Sequence, residues 1–190
     1  MANHVEYLMR ILPRAFVFRR SPPTDKNRVN LVLDNGKSGM DKMKTFTLST
    51  EQLIEKPRDE VFSYFSDAHN LAEITPPWLK FVVLTPRPIE MAVGTLIDYR
   101  LKLRGIPVRW QSEITEWNPP HFFADEQRRG PYRCWIHKHT FVETEGGTLV
   151  GDEVQYAVLG GQLINKLFVR PDIEKIFAYR SQKLQELLNT

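Results

Sequence analysis

From Lys44 onward the chain alternates apolar and polar residues in short runs between turn signals, then finishes in one long stretch of helical spacing. Thr45 to Ile54 reads as a first strand. Lys56-Pro57-Arg58-Asp59-Glu60 opens a helix, because Pro57 suits a first helical position and Asp59 and Glu60 suit the positive end of its dipole. Val61, Phe62 and Phe65 form its buried side. A second short helix is expected over Ala68 to Ile74, stopped by Thr75-Pro76-Pro77. Strands follow. Phe81 to Thr85 is short and apolar. Thr95 to Arg104 sets Ile97, Tyr99, Leu101 and Leu103 against Asp98, Arg100, Lys102 and Arg104. Gly105-Ile106-Pro107 is expected to turn the chain into Val108 to Trp117, whose inward face is Val108, Trp110, Ser112 and Ile114. Asn118-Pro119-Pro120 turns it again.

Two more strands form a hairpin about Gly130-Pro131, with Phe123, Asp125 and Gln127 sharing one face of the first and Trp135, His137, His139 and Phe141 one face of the second. A last strand, Thr148 to Ala157, turns Val150, Asp152, Val154 and Tyr156 one way. Clean alternation over neighbouring strands predicts an antiparallel sheet with one covered face. The helical stretch runs from Leu163 through Ile173, Ile176, Phe177, Tyr179 and Arg180 to Leu188, with a break expected at Pro171. The predicted fold class is α+β: a curved antiparallel sheet of about seven strands wrapped around a long C-terminal helix, with two short helices after the first strand.

The first 43 residues read differently. They carry eight Lys/Arg against four Asp/Glu, while residues 44–190 carry eighteen against nineteen. The sequence pI of about 9.0 therefore comes from the N-terminal extension, not from the domain. A nucleic-acid binder needs its basic stripe on the folded unit, so no nucleic-acid partner is expected. Residues 1–43 are expected to be a poorly ordered extension: an arm, a transit peptide, or sequence ahead of the true start at Met40 or Met43. A short basic helix over Val5 to Phe18 is conceivable within it. Residues 44–190 form the domain. One cysteine, Cys134, excludes an intrachain disulfide and fits the cytoplasm. No run approaches the roughly 18 apolar residues of a membrane span, so stable membrane insertion is not expected. Gly36-Lys37-Ser38 lacks the upstream glycine of a phosphate loop, and there is no nucleophile elbow or dinucleotide fingerprint.

The hairpin holds the candidate chemistry. An Asp, a Gln and two His on an otherwise apolar face each need a buried partner, which suits a cavity wall better than a plain core. His137 and His139 with Asp125 or Asp152 have the composition of a metal site. Strand alternation produces such pairs by chance, however, and no second ligand cluster appears, so neither a metal nor another cofactor is expected. Glu126, Arg128, Arg133 and Lys138 fall on the opposite, solvated face, as does Cys134. Tyr99, Asp125 and His139 are the residue types that proton transfer would use.

The order of elements resembles the helix-grip superfamily of START, Bet v 1 and polyketide cyclase/dehydrase proteins, closest to the cyclase/dehydrase and coenzyme Q-binding START-like branch. The resemblance rests on Asn70-Leu71 with Ile74-Thr75-Pro76-Pro77-Trp78-Leu79, on Met91-Ala92-Val93-Gly94-Thr95, and on Trp110, Ile114, Trp117 and Pro119-Pro120. The Asp125-to-Phe141 hairpin, Asp152-Glu153-Val154 and Ile176-Phe177-Ala178-Tyr179-Arg180 complete it. It covers residues 44–189 and implies a small hydrophobic ligand (lipid, quinone or polyketide-like) held between sheet and C-terminal helix. Tyr99, Trp110, Ser112, Phe123, Asp125, Gln127, Trp135, His137, His139, Asp152, Tyr156 and Phe177 are the expected ligand-binding residues. The alternative is a cyclase or dehydratase acting by proton transfer in the same cavity.

Overall fold

A computed structural model describes residues 44–189 together with the backbone of residues 27–30. Its elements are β1 (Asn27–Asn30), β2 (Phe46–Ile54), α1 (Arg58–Ser66), β3 (Val82–Val83), β4 (Leu96–Leu103), β5 (Ile106–Asn118), β6 (Phe122–Arg129), β7 (Cys134–Thr144), β8 (Gly147–Ala157), α2 (Gly161–Ile164) and α3 (Arg170–Leu188). A 3-10 helix at Ala68–Ala72 stands where the sequence predicts a short helix to Ile74, and a second 3-10 turn, not predicted, follows at Pro77–Leu79. All strands join one antiparallel sheet in the order β1-β2-β8-β7-β6-β5-β4-β3. Seven of them come from the predicted domain. The eighth, β1, is the described part of the predicted extension, and the possible helix over Val5 to Phe18 lies outside the described residues.

The faces follow the alternation. On β8, Val150, Asp152, Val154 and Tyr156 are buried; on β7, so are His137, His139 and Phe141. Register shifts along β5, at Gln111/Ser112 and Ile114/Glu116, insert bulges of the kind that bend a strand and deepen sheet curvature. Two local expectations differ. The chain reverses between β4 and β5 at Arg104-Gly105, not at Gly105-Ile106-Pro107. Both residues have positive φ, 51° and 84°, which matches the tight two-residue hairpin turn that twists with its strands. The break expected at Pro171 is a π turn over Asn165–Val169, and Pro171 lies in the first turn of α3, where its missing N–H costs nothing.

α3 buries Ile173, Phe177, Arg180, Leu184 and Leu188, a stripe of three- and four-residue steps. Ile173 and Phe177 pack on Phe46, Leu48, Val154 and Tyr156; Leu184 and Leu188 pack on Ile54, Phe62, Phe141 and Val150. Side-chain amides fasten the helix to β2. Gln52 Nε2 donates to the Ser181 carbonyl (2.9 Å) and Gln185 Nε2 to the Leu53 carbonyl (3.1 Å). Arg104 Nε and Nη2 grip both carboxylate oxygens of Asp172 at 2.7 and 3.0 Å, tying the β4–β5 turn to the start of α3. No helix among the described residues is long and apolar enough to cross a membrane.

Candidate functional site

The helix does not fill the space that the sheet encloses. A cavity of about 170 Å³ remains among β4–β7, the 3-10 turns and α3. Of the residues singled out in the sequence, Tyr99, Trp110, Ser112, Phe123, Asp125, Trp135, His137, His139 and Phe177 line it. Gln127, Asp152 and Tyr156 do not. Gln127 turns into its own hairpin, donating to the Tyr132 carbonyl (2.7 Å) and accepting from the Tyr132 N–H (3.3 Å). It thereby sets Tyr132, an unforeseen wall residue whose ring lies 4.7 Å from that of Trp135 and 5.6 Å from that of Trp110. Tyr156 is packed into the core beside Phe46, ring centroids 5.7 Å apart. Asp152 lies behind the two histidines.

Strand register builds the polar wall. Asp125 on β6 stands directly opposite His137 on β7, and His139 directly opposite Asp152 on β8, so four titratable groups meet on one face. Asp152 Oδ1 lies 2.9 Å from His137 Nε2 and 2.7 Å from His139 Nδ1. The first contact is a hydrogen bond; the second is as close but out of line for one. On the other side, Asp125 Oδ2 is 4.0 Å from His137 Nδ1 and 3.9 Å from His139 Nε2. The other Asp125 oxygen accepts from Ser112 Oγ (2.8 Å), which accepts from Trp110 Nε1 (3.1 Å). The Phe123 ring stacks on His139, centroids 4.4 Å apart.

Burial disfavours a charge on His137, and neighbouring His139 adds to this, so its pKa falls to about 4 despite Asp152. At neutral pH His137 is a neutral imidazole. Burial also opposes ionisation of Asp152, but the two imidazoles override it and hold the carboxyl well below its usual range. Burial and the nearby Asp125 push the Tyr99 phenol far up, so it stays a neutral donor. Among residues that could hold a metal, Asp125, His137 and His139 each offer one ligand atom, all within 4.8 Å of one another.

The residue that sequence reasoning missed is Arg180. It is 9% exposed, lines the cavity, and makes no hydrogen bond or ion pair within the described residues; its Nε is buried without a partner. The guanidinium lies over the Phe177 ring, 4.9 Å from its centroid. Burial lowers its pKa, outweighing the attraction of Asp152, Asp125 and Tyr99. A signal was present: a charge inside the buried stripe, three residues after Phe177 and four before Leu184.

A curved antiparallel sheet gripping a long helix around an internal cavity is the helix-grip architecture of Bet v 1-like proteins. Residues 54–177 match the family model for polyketide cyclase / dehydrase and lipid transport proteins, and the chain belongs to that family. The match does not single out a coenzyme Q-binding branch. Solved structures share the fold at low identity. Protein Ms6760 from Mycobacterium smegmatis is 18% identical with a TM-score of 0.59, covering 85% of this chain and 96% of that one. The Zhui aromatase/cyclase from Streptomyces sp. R1128 is 14% identical with a TM-score of 0.60, covering 76% and 94%. Ginseng major latex-like protein 151 from Panax ginseng is 14% identical with a TM-score of 0.57, covering 76% and 97%. No curated protein matches the sequence.

Proposed function

We propose that the domain binds a small, flat, largely apolar molecule carrying one acidic or carbonyl oxygen, with the ring against the aromatic wall and the oxygen toward Arg180. The observation that carries this reading is the buried guanidinium with unused donors facing a mostly apolar cavity. A buried charge without a partner costs several kcal/mol, and a ligand oxygen would recover much of that. Volume supports the ligand class. An apolar cavity of about 150 Å³ holds benzene, so the about 170 Å³ here suits one or two fused rings rather than a long-tailed quinone or a folded polyketide. Aromatic walls supply affinity at roughly 25 cal/mol per Å² of apolar area covered.

The test compares 1-naphthoate with 1-naphthylmethanol and naphthalene by thermal shift and calorimetry. The acid is expected to stabilise the protein most, and Arg180→Met to remove that preference. If none of the three raises Tm, the binding reading fails. The cyclase-type alternative uses the same cavity and differs in one outcome: turnover of a bound keto compound, lost in His139→Ala while binding persists.

A further inference from the structure

We propose that His137, His139 and Asp125 form a divalent-metal site, with Asp152 as its outer support and its open side toward the cavity. Asp152 is acceptor-only when ionised, and it takes the Nε2–H of His137 at 2.9 Å and faces Nδ1 of His139 at 2.7 Å. Each ring turns one nitrogen to Asp152 and the opposite nitrogen away from it. Those nitrogens, His137 Nδ1 and His139 Nε2, both face Asp125 Oδ2. Ser112 occupies the other Asp125 oxygen at 2.8 Å, which aims Oδ2 at the histidines. Asp125, His137 and His139 thus bring three potential ligand atoms to one point on the cavity wall.

A cation resolves that arrangement, and spacing favours a metal over a proton. A shared proton would draw nitrogen and oxygen to about 2.7–2.9 Å. The gaps here are 4.0 and 3.9 Å, too wide for a hydrogen bond. Bonds of about 2.0–2.1 Å from one tetrahedral ion would set its donors roughly 3.4 Å apart, so the two nitrogen–oxygen gaps need to close by only about half an ångström. Two imidazoles and one carboxylate suit Zn²⁺ and its first-row neighbours, and three protein ligands leave a position open toward the cavity. The outer shell is also in place, because metal-bound histidines characteristically give their second N–H to a carboxylate. Asp152 takes that bond from His137 and stands 2.7 Å from Nδ1 of His139. The pair was discounted in the sequence because alternation alone yields His-x-His; what alternation does not yield is opposite nitrogens turned toward one oxygen.

The test uses the untagged full chain, stripped with a chelator and dialysed. It is titrated with Co²⁺, followed by its visible d–d absorption, and then with Zn²⁺ in competition, with bound metal counted by elemental analysis. One equivalent per chain and a tetrahedral or five-coordinate Co²⁺ spectrum are expected. His137→Ala with His139→Ala should abolish both. Asp152→Asn should weaken binding by about 10–100-fold, as loss of an outer-shell partner does. Circular dichroism of each variant controls for folding. Substoichiometric uptake by the wild type, or equal uptake by the folded double-histidine variant, overturns the proposal. The wild-type arm decides the matter even if a variant fails to fold.

Discussion

Replacing Arg180 by Met should make the metal-free protein more stable and worse at binding acids. The side chain is 9% exposed and has no ion pair among the described residues, and burial outweighs the attraction of Asp152, Asp125 and Tyr99 in setting its pKa. The folded state therefore holds this charge less comfortably than water does. Met matches the stem of Arg out to the ε position, has similar helix propensity, and can pack its thioether against the Phe177 ring that the guanidinium now covers at 4.9 Å. Exchanging buried charges for well-packed apolar groups stabilises by about 1–4 kcal/mol in favourable cases. The two carboxylates lose a cation, so we expect the lower half of that range, about 1–2 kcal/mol. With a urea m-value of about 1–3 kcal/mol/M, the midpoint moves up by roughly 0.3–2 M. Tm rises by about 2–8 °C at the usual sensitivity for a chain of this size. Affinity for 1-naphthoate should fall by about 10–100-fold, the worth of a hydrogen bond to a charged group, while naphthalene is unaffected. Equilibrium urea unfolding in chelator and calorimetric titration measure the two halves. A midpoint that drops by a similar amount would refute the reasoning and make Arg180 a counterion of Asp125 and Asp152.

Other outcomes follow from single positions. Gly147 has φ 127°, and a Cβ there would meet the Ile54 carbonyl oxygen, so Gly147→Ala should cost about 2–4 kcal/mol in urea unfolding. Ser112→Ala removes the donor to Asp125 Oδ1 and the acceptor of Trp110 Nε1, and should cost about 1–3 kcal/mol and loosen metal binding by freeing the carboxylate. Burial, with Glu126 adding, raises the Cys134 thiol. Its alkylation by iodoacetamide should therefore be slow at neutral pH and reach half its maximal rate above the ordinary thiol range of about 8.5.

The strands were legible because period-two alternation maps directly onto the two faces of a sheet. Asp125, His137, His139 and Asp152 were all placed on the inward face from spacing alone, and they are there. Inward, however, is not the same as cavity-lining. Asp152 is inward but screened by the two imidazoles it supports, and Tyr156 is inward but covered by packing against Phe46. Alternation gives a side and no depth. Gln127 escaped for a different reason: near a strand end a long amide can turn along the chain, and Tyr132 offers it both a carbonyl and an N–H. Arg180 was read as part of an apolar stripe because one charge among many Leu, Ile and Phe does not disturb helical periodicity. The Arg104-Gly105 turn was shifted by one position, since Pro107 signals a turn strongly and yet sits in β5 opposite Lys102.

Arg180 and the histidine cluster belong to one charge balance. Asp125 and Asp152 bring two negative charges to the cavity wall, and Arg180 answers only one of them. Neutral His137 adds no positive charge to offset the carboxylates, which disfavours an acidic ligand even though Arg180 invites it. A divalent ion in the triad adds two positive charges, and the acid then finds both the guanidinium and an open coordination position. Metal and acid should therefore bind with positive coupling, and linkage makes that coupling reciprocal: the factor by which Zn²⁺ tightens 1-naphthoate must equal the factor by which 1-naphthoate tightens Zn²⁺. Naphthalene, having no charge to place, should show almost none. Coupling of equal size for the acid and the hydrocarbon would mean that the ion acts by stiffening the sheet, not by balancing charge.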